Sequence, residues 1–288
     1  MANLKAIKTR IESVKSTQKI TKAMKMVASV KFRKAQEKLL NARPYSDKLR
    51  EVIASIAKRT NTEDHKLLKT NIESNNVLFV IFSGDRGLCG AFNGSITRGV
   101  RNFINEYSQN YGKIFLSFVG KKSYEAYKGK PEYNIVDYYE DLTTKIEFDN
   151  ITKVSDNIIK YYCEKNCKEV YLIYNEFKSV ITQKVVMEKI LPIEPAKDLY
   201  MPSVEYDFEP SEHFVLDFLL EKYLKTEIYR ALLESSASEQ ASRMNSMEAA
   251  SNNAEEMIKE LTLTYNRARQ STITKELIEV VSGAEALK

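Results

Sequence analysis

The stretch LKAIKTRIESVKSTQKITKAMKMVASVKFRKAQEKLLNARPYSDKLREVIASI (residues 4–56) decides how this chain is built. Its apolar residues step by threes and fours: Leu4, Ile7, Ile11 and Val14, then Ala28, Phe32, Ala35, Leu39, Ala42, Leu49, Ile53 and Ile56. On a helix that spacing lines a single face, so the pattern predicts a helix of about 55 residues lying along a partner helix. The seam weakens at Gln18, Thr21 and Lys25, where apolar side chains move to Ile20, Met24 and Val27. Such a mixed stretch lets the helix twist or faces something other than its partner. Pro44 falls within the seam and predicts a kink or local break, because proline lacks the N–H of the helical ladder.

The partner is found at the other end of the chain. After Pro210, Ser211 is a good N-cap and Glu212 places an acid in the first turn. Apolar or small residues follow at Ala237, Met244, Met247, Ala254, Ile258, Leu261, Tyr265 and Ala268, and then at Ile273, Leu277, Val280, Ala284 and Leu287. A helix of 70-odd residues spans roughly 110 Å at its fixed rise. A globule of this chain length has a radius of gyration near only ~19 Å, so the helix is predicted to project. Connectivity makes the two helices antiparallel, and the second is longer by about 20 residues, or about 30 Å. Its unpaired end, LIEVVSGAEAL (277–287), is apolar around most of its circumference and requires a covering partner.

Glycine and proline divide the chain in the same way. Of 288 residues only 9 are Gly and 6 are Pro, and every glycine except Gly283 lies between Gly84 and Gly129. Collagen, glycine-rich linkers and turn-dense β-sandwiches are excluded, since each needs these residues for its backbone. Between the helices, VLFVIFS (77–83), IFLSFVG (114–120), YNIVDYY (133–139) and VYLIYNEF (170–177) read as strands. A helix is predicted from about 149 to 166, and VITQKVVMEKIL (180–191) as an antiparallel edge strand. The fold expected is α/β plus long α: an antiparallel coiled coil of terminal helices (1–59 and 211–288) with an inserted Rossmann-like α/β domain (75–205).

Charge is unevenly placed. Residues 1–60 hold 16 Lys/Arg against 4 Asp/Glu, whereas the remainder holds 28 against 35. The basic part is expected to meet an acidic partner. No run approaches a membrane span, and the N-terminus has neither a signal-peptide core nor room for a transit peptide. Three cysteines (Cys89, Cys163, Cys167) do not make a disulfide framework, so a reducing, cytosolic setting is the natural reading.

Candidate chemistry is sparse. GDRGLCGAFNG (84–94) joins a strand to a helix, where phosphate loops occur, but it has neither G-x-G-x-x-G nor a G-K-[ST] ending. A tight structural turn is the preferred reading over a nucleotide-binding enzyme, and Arg86 is as suited to a protein partner as to a phosphate. Cys163 and Cys167, read as i and i+4 on one helix, are too few for structural zinc and serve as small core residues. Two histidines (His65, His213), neither in a recognisable motif, give acid–base catalysis little support. The basic run Lys15, Lys19, Lys22, Lys25, Lys31, Arg33 and Lys34 suits nucleic acid or a solvated exterior; no aromatic residue interleaves it before Phe32, which tells against nucleic acid.

Three stretches carry a family resemblance: IKTRIESVKSTQKITKAMKMVASVKFRKAQ (7–36), SGDRGLCGAFN (83–93) and the C-terminal segment 234–287 with ITKELIEVVSGA at 273–284. In this order they resemble the gamma subunit of the F-type ATP synthases. The resemblance implies a non-catalytic central rotor shaft with no cofactor and no active site of its own. Implied partners are the alpha and beta subunits of the catalytic hexamer, the epsilon subunit and the c-ring of the membrane sector. Arg269 and Gln270 match the pair that holds a catch loop of one beta subunit. Met24 and Arg243, with Glu239 on the same stretch, lie near the beta-subunit levers, whose acidic segment suits Lys22, Lys25, Lys31 and Arg33. Phe208 and Glu209 correspond to a foot on the c-ring, and Leu277, Val280, Val281 and Leu287 to a tip turning in an apolar sleeve. Cys163 and Cys167 do not resemble the regulatory insert of photosynthetic relatives. The implied place is the cytoplasmic face of a bacterial plasma (inner) membrane, reached only through the complex.

Overall fold

A computed structural model of the chain describes residues 4–57, 65–69, 71, 74–143, 146, 148–164, 167–194, 208–209 and 211–285. Ten elements follow in order: α1 (Leu4–Ala57), β1 (Asn76–Phe82), α2 (Phe92–Tyr107), β2 (Lys113–Val119), α3 (Lys121–Tyr127), β3 (Asn134–Tyr139), α4 (Phe148–Glu164), β4 (Cys167–Phe177), β5 (Gln183–Leu191) and α5 (Glu212–Glu285). The terminal helices run for 54 and 74 residues. Ser211 caps α5 as its sequence suggests, its Oγ accepting the Phe214 N–H at 3.3 Å. The chain divides into two compact units, one of residues up to Ala28 with those from Arg243 onward, the other Ser29–Ser242.

The five strands form one sheet in the order β3-β2-β1-β4-β5. All neighbours are parallel except β4 and β5, so the strand at 180–191 is the antiparallel edge that its alternation predicts. β1 is apolar throughout because both faces are covered. Val77, Phe79 and Ile81 point to a core shared with Phe92, Ile96 and Val100 of α2 and Tyr127 of α3. Leu78, Val80 and Phe82 point to the opposite core, which takes Leu49, Ile53 and Ile56 from α1, Ile151, Val154 and Ile158 from α4, and Leu216, Leu220 and Leu224 from α5. Period-2 alternation thus sorts a continuous apolar run onto two helical layers.

Two readings are corrected and one element is added. The helix α1 is continuous through Pro44, so of the expected kink or local break, the break does not occur. Pro44 is exposed, so the carbonyl it cannot serve is open to water, while buried Leu39, Ser46 and Leu49 hold the flanks. Cys163 and Cys167 do not share a helix: α4 ends at Glu164 and Cys167 begins β4. The short α3 between β2 and β3 is absent from the sequence reading, because seven residues give too few turns for a helical period to show.

Candidate functional site

In the unit of residues Ser29–Ser242, α1 and α5 pack through small residues. Phe32 and Ala35 meet Ala237 and Ala241, and further on Ser46 donates to Glu227 Oε1 at 2.7 Å. As numbers rise on α1 they fall on α5, so the pair is antiparallel. In the other unit the seam keeps its step: residues 4, 7, 11, 14, 18, 21 and 28 of α1 are shielded, with half-buried Met24 and Lys25 between the last two, and residues 247, 251, 254, 258, 261, 265 and 268 of α5 are shielded, as are 243–246 and 250. Gln18 and Thr21 therefore stay on the seam, with the Thr21 hydroxyl satisfied by the Gln18 carbonyl at 3.0 Å. Ile20, Met26, Val27 and Val30 are left facing outward and exposed. Of the two options for the mixed stretch, apolar residues aimed at something other than the partner helix is the one realised.

The register sets where pairing ends. Lys25 Nζ lies 2.7 Å from Glu248 Oε1. Moving back 21 residues from Lys25 reaches Leu4, and moving forward 21 from Glu248 reaches Arg269. Every described residue from Arg269 onward is exposed. Ile273, Leu277, Ile278, Val280 and Val281 are among them, Val280 at 70% exposure. At 1.5 Å per residue this bare helix runs about 25 Å.

The glycine turn is an internal fastening. Gly84 N–H donates to Asn93 Oδ1 at 2.9 Å and Lys121 N–H to Asp85 Oδ1 at 3.1 Å, so amides suited to a phosphate are engaged by side chains of the chain itself. Ser242 Oγ of α5 donates to the Cys89 carbonyl at 2.6 Å. A Cβ on Gly84 would lie 2.9 Å from Glu239 Oε1, so the Glu239 carboxylate sits against the turn where a larger residue would make it shift. Ser242→Ala is expected to lower stability by about 1 kcal/mol, the worth of one such bond, as read by urea unfolding of the intact chain.

Below that fastening lies a buried charge cluster that sequence reasoning missed. Arg230 donates to Glu227 at 2.9 Å, Glu188 at 2.6 Å, Glu234 at 3.3 Å and the Tyr174 hydroxyl at 3.1 Å. Burial opposes the Arg230 charge, but Glu227, Tyr174 and Glu188 outweigh it and raise the guanidinium pKa further. Burial raises the Glu234 pKa, with Arg230 opposing. The i, i+3 and i, i+4 spacing of Glu227, Arg230 and Glu234 was visible in sequence, but such triads are ordinarily solvated. As for the thiols, burial pushes Cys167 up to about 11 and raises Cys163 as well, which keeps both protonated and poorly reactive.

Residues 3–287 match the ATP synthase family model. The chain belongs to the ATP synthase gamma-chain family. It is 42% identical over 289 residues to the ATP synthase gamma chain of Geobacter sp. (strain M21), covering all of both chains. With the gamma chain of Bdellovibrio bacteriovorus it shares 44% over 296 residues, again end to end. The central stalk/c-ring structure of the Tetrahymena thermophila mitochondrial ATP synthase matches at TM-score 0.60 and 28% identity, over 81% of this chain and 99% of that one. A chain of the Euglena gracilis mitochondrial enzyme shares the fold at TM-score 0.67 and 21% identity, over 99% and 94%.

Against that family the residues singled out in sequence fall into three groups. Met24 and Lys25 are half-buried and Lys22 exposed on α1, in the same unit as half-buried Arg243. Arg269 and Gln270 lie in that unit too, about 39 Å along α5 from Arg243, where they open the exposed end that carries Leu277, Val280 and Val281. Leu287 lies outside the described residues. Phe208 belongs to the other unit, packed on the core beside α5, with Glu209 exposed next to it.

Proposed function

We propose that the chain is the central rotor shaft of a proton-translocating F-type ATP synthase. In this reading it is not an enzyme itself; it couples rotation of a c-ring to conformational changes at catalytic sites on the beta subunits. The observation that carries the reading is the unpartnered end of α5. An exposed helix bearing Ile273, Leu277, Ile278, Val280 and Val281 needs an apolar sleeve. Apolar contacts are non-directional, so a rod can turn within one without breaking oriented bonds.

The remaining roles are those the family resemblance implies. Arg269 and Gln270, the first residues beyond the paired seam, hold a catch loop of one beta subunit. The outward stripe Ile20, Met26, Val27 and Val30, flanked by Met24, Lys22, Lys25 and Arg243, meets the beta-subunit levers. Phe208 and Glu209 form a foot on the c-ring, with the epsilon subunit beside the α/β base. Among the described residues no helix is long and apolar enough to cross a membrane, and the chain is held at the cytoplasmic face of a bacterial plasma (inner) membrane through its partners. Nucleic acid is not among them.

Two variants test this. Deleting the chain from Ile273 onward removes, among the described residues, only exposed helix, so unfolding of the isolated chain should shift by no more than about 0.5 kcal/mol. ATP synthesis by the reassembled complex in energised vesicles should fall several-fold. Arg269→Cys, crosslinked to a catalytic subunit, should stop turnover, and reductant should restore it. Full turnover in the crosslinked complex would refute the shaft.

A further inference from the structure

His65 and His213 are the only two histidines of the chain, 148 positions apart, and the fold stacks their rings 4.2 Å apart at 33°. Between them lies one carboxylate: Asp217 Oδ1 is 2.7 Å from His65 Nδ1, and Asp217 Oδ2 is 3.3 Å from His213 Nδ1. We propose that His65, His213 and Asp217 bind a divalent transition-metal ion of the zinc class, clasping the segment after α1 to the first turns of α5.

Each part of the cluster has a reason to be a ligand. His213 and Asp217 stand at i and i+4, hence on one face of α5, and one donor atom from each of the three residues lies within 4.8 Å of the others. Tetrahedral zinc with bonds near ~2.1 Å sets its donors about 3.4 Å apart. The two measured contacts, 2.7 and 3.3 Å, fall just short of that value, and small rotations of His213 and Asp217 open the set to it. Both are more than half exposed, which gives them room to turn and leaves a side open for water as fourth ligand. The His65 side chain, by contrast, is wholly buried, and its Nε2 has no hydrogen-bond partner among the described residues. Its Nδ1, the nitrogen that faces Asp217, is the one placed to take the ion, and burial holds the ring in that orientation.

The donor set selects the ion. Two imidazoles and a single carboxylate suit zinc, cobalt, nickel or copper, whereas calcium and magnesium require more oxygens. The clasp stays within the unit of residues 29–242.

The test uses the untagged full-length chain, stripped with chelator and titrated with Co²⁺ and then Zn²⁺. We expect one equivalent of Co²⁺ with visible ligand-field bands, displacement by Zn²⁺, and a thermal midpoint that rises with metal. His213→Ala and Asp217→Ala, both at exposed positions, should weaken binding at least tenfold and abolish the bands. The metal-free midpoint of His213→Ala should match the parent, which separates loss of a ligand from loss of folding, whereas that of Asp217→Ala should fall because buried His65 loses its hydrogen bond. No saturable uptake, saturation only at millimolar metal, or uptake indifferent to both substitutions would overturn the site.

Discussion

Gly120→Ala is expected to destabilise the chain more than any other single methyl addition among its described glycines. Gly120 precedes α3 with φ 105° and ψ 144°, a region that side-chain-bearing residues avoid. A Cβ there would sit 2.0 Å from the Ser83 carbonyl oxygen and 2.7 Å from its carbon. These are backbone atoms, and they are pinned: Ser83 N–H donates to the Val119 carbonyl at 2.8 Å, and Gly120 N–H to the Tyr139 carbonyl at 2.9 Å. The Ser83 hydroxyl also accepts the Ser123 N–H at 3.1 Å. Backbone strain of about 1–3 kcal/mol adds to overpacking of about 1–3 kcal/mol, so a loss of about 4 kcal/mol is expected in urea unfolding. Gly129→Ala is the control. It has φ 80° but open space around its Cβ, and so should lose only the strain, about 1 kcal/mol. Equal losses at the two positions would refute the steric argument.

Arg230→Met is the second large effect. Methionine fills a similar volume but takes the guanidinium from Glu227, Glu188 and Glu234, whose side chains are 2%, 34% and 7% exposed; Ser46 and Arg50 still reach Glu227 and the Tyr174 hydroxyl still reaches Glu188, so the loss falls hardest on Glu234. Removing one partner from a buried ionic cluster costs about 3–5 kcal/mol, because the remaining charges lose their compensation while staying out of water. The same cluster predicts a pH signature. Burial raises the Glu234 pKa in the folded chain above its usual value. A carboxyl raised on folding contributes stability that is fully present below its unfolded pKa, near ~4.3, and lost as pH rises through the folded one. The Arg230→Met deficit should therefore shrink as pH is lowered toward the ordinary carboxylate range, because Glu234, whose carboxyl burial already raises, takes up a proton. Thermal unfolding across that range reads it. A deficit that grows on acidification would rule out charge stranding as its cause.

How much of this was legible beforehand differs by element. The terminal helices, their antiparallel sense and the bare end of α5 follow from a repeat sustained over dozens of residues, and a long period leaves few alternatives. The β1 run needed only its neighbouring glycines to be read as buried on both faces. Pro44 misled because the local rule about its missing N–H is correct, yet packing on both sides keeps the helix whole. Cys163 and Cys167 misled because a four-residue spacing means one face only if the helix continues, and α4 stops between them.

The residues that fasten the base were not legible at all. Ser242 meets Cys89, Glu239 meets Gly84, Arg230 meets Glu188 across 42 positions, and His65 meets Asp217 across 152. Pairings of that kind carry no spacing signal, since the chain between partners is arbitrary in length. Periodicity is a local property, and from residue spacing alone it set the lengths of α1 and α5, the seam and the exposed apolar end. How the helices are fastened to the base waits on the fold, because a hydrogen bond or an ion pair between distant residues exists only once the sheet has brought them within about 3 Å.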